Sequence, residues 1–424
     1  MNISDFLHAV TSYIRSKEAK VHVRQELKQH IENAKKAWLQ KGYTESEAEQ
    51  KAIAEMGSAS QLGKSLNKIH KPKWDWLLIS LMAVIFLLSF LPLLALPEGL
   101  GQYNSSILIE KKVFHILIGF FLIFSFMLID YRKLLRFDLY FYATGMAILL
   151  FLELFPNQFV NGQAIFVMGP IVVQVWVALP FLLVAWAGFF TRRQWKLWQL
   201  LTLFFISCYP ILANPSLAAL LIYIIVVAVL FLCSHYTKKQ KIVLLSSFFL
   251  VGGSLLGFSI SQAMPYQLDR LNGFISPEKN ADGSGYYYLL LERALSEGGW
   301  FGANEVLLIP DSHTDFAFVQ IVHVYGLAVG LLVASILLLV AIRSIWIARF
   351  IQNPFGKMLI IGGVTLYSSQ FMYAILIVLG LVPIIAIPIP FISYGMVPVT
   401  INAFVIGIIL SVYRRKSYPK SQFT

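Results

Sequence analysis

The feature that most constrains this chain is a series of long, nearly uncharged apolar runs. Each is about 20 residues, the length an α-helix needs to cross roughly 30 Å of hydrocarbon. About ten can be drawn, at 74–95, 113–130, 137–155, 171–190, 198–213, 216–233, 242–262, 316–342, 357–380 and 397–413. A spanning β-barrel would alternate apolar and polar residues, so helices are the spanning solution. The fifth and sixth runs nearly abut at Asn214-Pro215 and could form one broken unit. Across 424 residues 58% are apolar and 13% charged, with mean hydropathy +0.69. A soluble chain carries about a quarter charged residues. The expected fold class is all-α: a polytopic membrane protein of about ten transmembrane helices behind a small soluble helical domain.

Topology explains the net charge of +12 better than nucleic acid does. Basic residues cluster in alternate connections: Arg132, Lys133 and Arg136; Arg192, Arg193 and Lys196; Lys238, Lys239 and Lys241; Arg343 and Arg349; and the tail Arg414, Arg415 and Lys416. The connections 156–170 and 381–396 carry no Lys or Arg. By the positive-inside rule both termini are expected in the cytoplasm. Cys208 and Cys233 fall in predicted membrane helices, which leaves no disulfide framework. Residues 1–73 lack the apolar core of a signal peptide.

Residues 1–73 read as a separate cytoplasmic helical module, with 13 Lys/Arg against 8 Asp/Glu. Phe6, Val10, Tyr13 and Ile14 recur at helical spacing. Thr44-Glu45-Ser46-Glu47 has the form of a capping box, Gly57 stops that helix, and Ser58 or Ser60 caps a third short one. The module resembles the helical prefix domain found ahead of several bacterial permease-like proteins. It carries no chemistry, so it either aids folding and insertion or binds a partner. The membrane domain then occupies 74–415, and 416–424 form a cytoplasmic tail.

The one long polar segment after residue 73 is 263–315, which the topology places outside. A polar outer loop between bundle helices is where a functional site concentrates. It contains Tyr266-Gln267-x-x-Arg270, then Asp282-Gly-Ser-Gly-Tyr286, and ends at Asp311-Ser-His313-Thr314-Asp315-Phe316, directly before the eighth run. Taken alone, Asp315 could simply cap a helix, and Tyr266 and Gln267 could anchor an interface. The residues Tyr286-Tyr287-Tyr288 fit interfacial anchoring as well as sugar stacking.

In this order the motifs resemble the SEDS family (shape, elongation, division and sporulation), whose members RodA, FtsW and SpoVE are ten-helix peptidoglycan polymerases. Tyr266, Gln267 and Arg270 match its Tyr-Gln-x-x-Arg; Gly283, Gly285 and Tyr286 match part of its Gly-x-Gly-Tyr turn; Gly298-Gly299 match a Gly-Gly pair. Ile309-Pro310-Asp311-Ser312-His313-Thr314-Asp315-Phe316 resembles Leu-Pro-Glu-x-His-Thr-Asp-Phe, and Pro388 to Gly395 resembles Pro-x-Pro-Phe-x-Ser-Tyr-Gly, with Ser393 and Tyr394 in place.

The resemblance implies a glycosyltransferase that polymerises lipid II at the outer face of a bacterial plasma membrane. Asp315 falls at the catalytic carboxylate, taking the proton from the acceptor 4-hydroxyl as it attacks the donor's anomeric carbon. Tyr266, Gln267, Arg270, Tyr286, His313, Thr314, Ser393 and Tyr394 fall in the substrate-binding set. Arg270, or a divalent cation such as Mg or Mn, would offset charge on the leaving pyrophosphate. No other cofactor is implied. Family polymerases act beside a single-span transpeptidase of the penicillin-binding class.

Departures from the pattern are numerous. Gln163 is followed by Ala164-Ile165 and Gln174 by Val175-Trp176-Val177, so the family's Arg, Trp and Glu near the fourth helix are missing. Pro215-Ser216-Leu217-Ala218-Ala219 replaces Pro-Asp-Leu-Gly-Thr, and Leu290-Leu291 replaces a Gln-Ser. The segment from Gly302 to Ile309 is short, His323 stands where an acidic residue is usual, and Met396 replaces a Gly. His323 lies eight residues after Asp315 and could tune it, although a hydrogen-bonded structural His is the better reading. Retention of Asp315 favours a polymerase. The lost polar groups favour a non-catalytic relative that binds the lipid carrier or a wall-synthesis partner. The Pro-rich segment 383–398 also suits a flippase of lipid-linked precursors.

Overall fold

The computed structural model describes residues 2–14, 17–70, 73–96, 105–160, 162–169, 171–192, 194–243, 246, 269, 272–303, 305 and 307–416. They form two compact units, Met1–Asp75 with Tyr413–Thr424, and Trp76–Val412.

The first unit is helical. Asn2 caps α1 (Ile3–Ser12) by accepting from the Asp5 amide at 2.7 Å. Next come α2 (Lys17–Gln40), α3 (Glu45–Glu55) and α4 (Ala59–His70). The capping box is present at Thr44 and Glu47, and Gly57 follows α3 with φ +75°. Phe6, Leu7, Val10, Ile31, Ala52 and Ile53 close one small core. The segment after Gly57 is therefore a fourth helix, because the polar stretch 17–40 is itself helical.

In the second unit the described helices account for nine of the ten apolar runs. Five are long and apolar enough to cross a membrane: Trp76–Leu94, Tyr131–Leu154, Leu327–Arg349, Pro354–Val378 and Met396–Arg414. Within them lie α5 (Trp76–Leu88), α6 (Leu91–Leu94), α8 (Tyr131–Leu134) and α9 (Asp138–Leu154). The 24-residue α7 (Ser105–Leu128) carries the second run. Three shorter apolar helices follow, α10 (Ala178–Thr191), α11 (Leu197–Ala213) and α12 (Leu217–Leu232). The seventh run, 242–262, lies almost wholly outside the described residues.

Burial sorts the helices into centre and rim. Every residue of α10 from Ala178 to Phe190 is buried except Phe181, and the Met396–Arg414 span is 78% buried. The Leu327–Arg349 helix is 33% buried and exposes Leu331, Leu338, Ile342 and Ile345. A helix apolar all round can leave one face to lipid, so this exposure is that of a bundle's outer wall.

Two boundaries differ from the sequence reading. The run 171–190 starts its helix only at Ala178, because its first residues belong to a three-stranded antiparallel sheet of β1 (Gln158–Val160), β2 (Gln163–Met168) and β3 (Ile171–Val173). Asn214 pins it, donating to the Ala164 carbonyl and accepting from its amide, both at 2.9 Å. The Asn214-Pro215 junction is accordingly a real corner between α11 and α12. The run 316–342 is also two helices. After α13 (Tyr286–Gly298) come α14 (Ala317–Tyr325) and α15 (Leu327–Arg349), broken at Gly326 with φ +87°. A Cβ there would stand 2.3 Å from the Trp300 carbonyl oxygen, so only glycine fits. Pro354–Val378 is α16 and Met396–Arg414 is α17.

Candidate functional site

Asp315 does not open the membrane helix. It ends a tight loop ahead of the short buried α14. The loop winds around one carbonyl: Asp311 O accepts from the amides of Thr314 (3.0 Å) and Phe316 (3.2 Å) and from the Thr314 hydroxyl (3.2 Å). Asp311 adopts φ +51° to make this possible, a conformation that Asp tolerates better than most residues.

The Pro388–Gly395 segment closes onto this loop from 79 residues further along the chain. Ser393 Oγ donates to Thr314 O at 2.7 Å, and the Tyr394 amide donates to His313 O at 2.8 Å. The Ile389 amide in turn donates to Ser393 Oγ at 2.8 Å. The Tyr394 ring lies 5.6 Å from the His313 ring and 5.5 Å from that of His115 on α7. His313, Thr314, Asp315, Ser393 and Tyr394 are thus brought together. Ser393 and the Thr314 hydroxyl spend their hydrogen bonds on backbone, which makes them holders of the loop.

Asp315 is partly buried. Burial, and then the negative charge of Asp311, push its carboxyl up to about 6. His313 is shifted down by burial, which the Asp311 charge partly opposes. Among the described residues no group of three or more His, Cys, Asp or Glu side chains converges on a point that could hold a metal ion. Among them, therefore, no cage of three protein ligands for Mg or Mn is assembled.

Tyr286 starts α13, half exposed, with its ring against Tyr287. Tyr287 stacks on Phe316, the neighbour of Asp315, with centroids 6.1 Å apart. Tyr266, Gln267 and Arg270 lie outside the described residues. His323 faces α13 and the preceding loop: its ring nitrogens meet the carbonyls of Ala294 (3.0 Å) and Glu305 (3.2 Å). It joins elements together, and Asp315 does not share its helix, because α14 begins only at Ala317.

Lys112 escaped the sequence reading. The second run, drawn from residue 113, left it just outside, whereas α7 begins at Ser105 and places it inside the helix. It is fully buried and donates to the carbonyls of Phe391, Ile392 and Ser393. Glu110 and Lys111 precede it, so in the sequence it reads as one more charge at a run boundary.

Apolar helices around a loop-borne carboxylate define a polytopic membrane protein with a polar site at one end of its bundle. The cell cycle protein family of FtsW, RodA and SpoVE matches residues 72–418, and the chain belongs to it. Similar proteins include a probable peptidoglycan glycosyltransferase FtsW of Trichlorobacter lovleyi, 28% identical over 153 residues, 35% of this chain and 40% of that protein. Peptidoglycan glycosyltransferase MrdB of Escherichia coli is 29% identical over 165 residues, 37% and 44% of the two chains. Stage V sporulation protein E of Bacillus subtilis is 28% identical over 160 residues, 36% and 44%. The chain thus matches less than half the length of these curated relatives. A chain of a peptidoglycan synthase complex superposes with TM-score 0.70 at 20% identity, covering 82% of this chain and 99% of that one. The rod shape determining protein RodA of Thermus thermophilus gives 0.60 at 19%, covering 82% and 98%. The fold is the polytopic membrane fold of this family.

Proposed function

We propose that the protein is a peptidoglycan glycosyltransferase that polymerises lipid II at the outer face of a bacterial plasma membrane. The observation that carries this is Asp315: a partly buried carboxyl near 6, on a loop held by two hydrogen bonds from the Pro388–Gly395 segment. A general base works best with a pKa near the operating pH. The acceptor 4-hydroxyl attacks the donor's anomeric carbon and its proton passes to Asp315. The new glycosidic bond forms as the bond to undecaprenyl pyrophosphate breaks, and the pyrophosphate leaves with both electrons. Arg270 is assigned to that pyrophosphate, with Tyr266 and Gln267 beside it; Tyr286 is assigned to the sugar. Both termini are assigned to the cytoplasm from the basic connections, and a single-span penicillin-binding transpeptidase is the partner expected beside it.

One observation favours a second reading, a relative that binds the lipid carrier without polymerising it. Where family members carry Gln-Ser, Leu290 and Leu291 are buried, and Leu291 packs with Ala294, Ile309 and Phe316. Purified wild type and Asp315→Ala, each given labelled lipid II, separate the two. Binding by both proteins with polymer from wild type alone supports the glycosyltransferase; binding by both with polymer from neither supports the second reading.

A further inference from the structure

The buried ammonium of Lys112 has no part in the chemistry above. An ammonium offers three N–H donors, and here they meet three consecutive carbonyls: Phe391 at 2.8 Å, Ile392 at 3.3 Å and Ser393 at 3.1 Å. Carbonyls turned toward one point repel each other and lie unsatisfied unless a cation gathers them. The turn that gathers them is one side chains seldom adopt, with Phe391 at φ +63° and its ring fully buried against Phe86. One helical turn further along α7, His115 rests its ring on Tyr394. The same face of α7 therefore touches both ends of the turn.

We infer that Lys112 is a positioning residue: it locks the Phe391–Tyr394 turn in the shape that holds His313 and Thr314, and through them Asp315. The chain of contacts is continuous. Lys112 binds the carbonyl of Ser393, the Ser393 hydroxyl binds Thr314, the Tyr394 amide binds His313, and Asp315 follows Thr314 directly. Without the cation the turn loses what gathers its carbonyls and relaxes away from φ +63°, and both bonds to the 313–314 backbone go with it. The effect on turnover rests on the glycosyltransferase reading; the mechanical latch does not.

The test compares Lys112→Met, which keeps length but removes the cation, with Lys112→Arg, which keeps the cation. The full chain is reconstituted in lipid nanodiscs. Amide hydrogen exchange is read along the chain, and lipid II turnover is read in parallel. In Lys112→Met, exchange in 311–317 and 389–396 is expected to rise together by about tenfold or more, with Pro354–Val378 unchanged. The kcat should fall by about tenfold with KM held, and Lys112→Arg should recover part of both. Unchanged exchange in 311–317, a uniform rise across the bundle, or wild-type turnover by Lys112→Met overturns the inference. If wild type itself makes no polymer, the glycosyltransferase reading falls and the exchange pattern still decides the latch. Should Lys112→Met fail to fold, Ser393→Ala cuts the same path one bond later. It should raise exchange in 311–317, and no rise there overturns the inference.

Discussion

The hydroxyl of Ser393 donates to the carbonyl of Thr314 at 2.7 Å, one residue before the carboxylate of Asp315. The same oxygen accepts from the Ile389 amide at 2.8 Å. Ser393→Ala therefore strands a buried donor and a carbonyl together, at a cost of about 1–3 kcal/mol. The expected outcome is a lower unfolding midpoint and a fall in lipid II turnover of about tenfold, measured on protein that still inserts and binds lipid II.

The pH dependence of turnover should report Asp315. A base must be ionised to accept a proton, and this carboxyl is raised to about 6 by burial and the Asp311 charge. Turnover is expected to climb about tenfold per pH unit up to about 6 and then flatten. An ordinary carboxylate would place that limb near 4. Initial rates between pH 4.5 and 8 check this.

Stability should run in the opposite direction. A carboxyl raised in the folded state holds its proton more tightly folded than unfolded, so its charge costs stability above about 6. That cost is relieved as pH falls from about 6 toward the ordinary value near 4. A rise from 3.8 to about 6 corresponds to about 3 kcal/mol at most, and partial solvent access reduces it to about 1–2 kcal/mol. Asp315→Asn should stabilise the bundle by about that amount at pH 7.5 and by little at pH 4, read from thermal unfolding in detergent.

The two glycines before Tyr286 should behave differently. A Cβ on Gly285 would lie 2.2 Å from the Pro277 carbonyl oxygen and 2.8 Å from that of Asn280, both backbone. On Gly283 the nearest atom is 3.9 Å away. Gly285→Ala is expected to destabilise the protein by about 1–3 kcal/mol, and Gly283→Ala by less than about 0.5 kcal/mol. Paired melting curves distinguish them.

Much of this was legible in the sequence because hydrocarbon imposes a length. The apolar runs predicted nine of the described helical regions, and the His-Thr-Asp-Phe and Ser-Tyr-Gly signatures identified two distant segments that meet. What escaped was set by single backbone contacts. Gly326 breaks the eighth run because the Trp300 carbonyl lies against it, and hydropathy does not register such a contact. β3 is apolar enough to read as a helix start, and the sheet it belongs to is fixed by Asn214 from another connection. Lys112 lies next to a run boundary where lysines are ordinary. Only its burial against the Phe391–Ser393 carbonyls marks it out.

The most direct measurement is the glycan product made from lipid II by the purified full-length chain and by Asp315→Asn, resolved by chain length on a gel. The expected result is a ladder of long glycan strands from wild type and none from Asp315→Asn, with both proteins binding lipid II equally. A ladder of equal intensity from the two proteins, or none from either, would contradict Asp315 as the base of a polymerase.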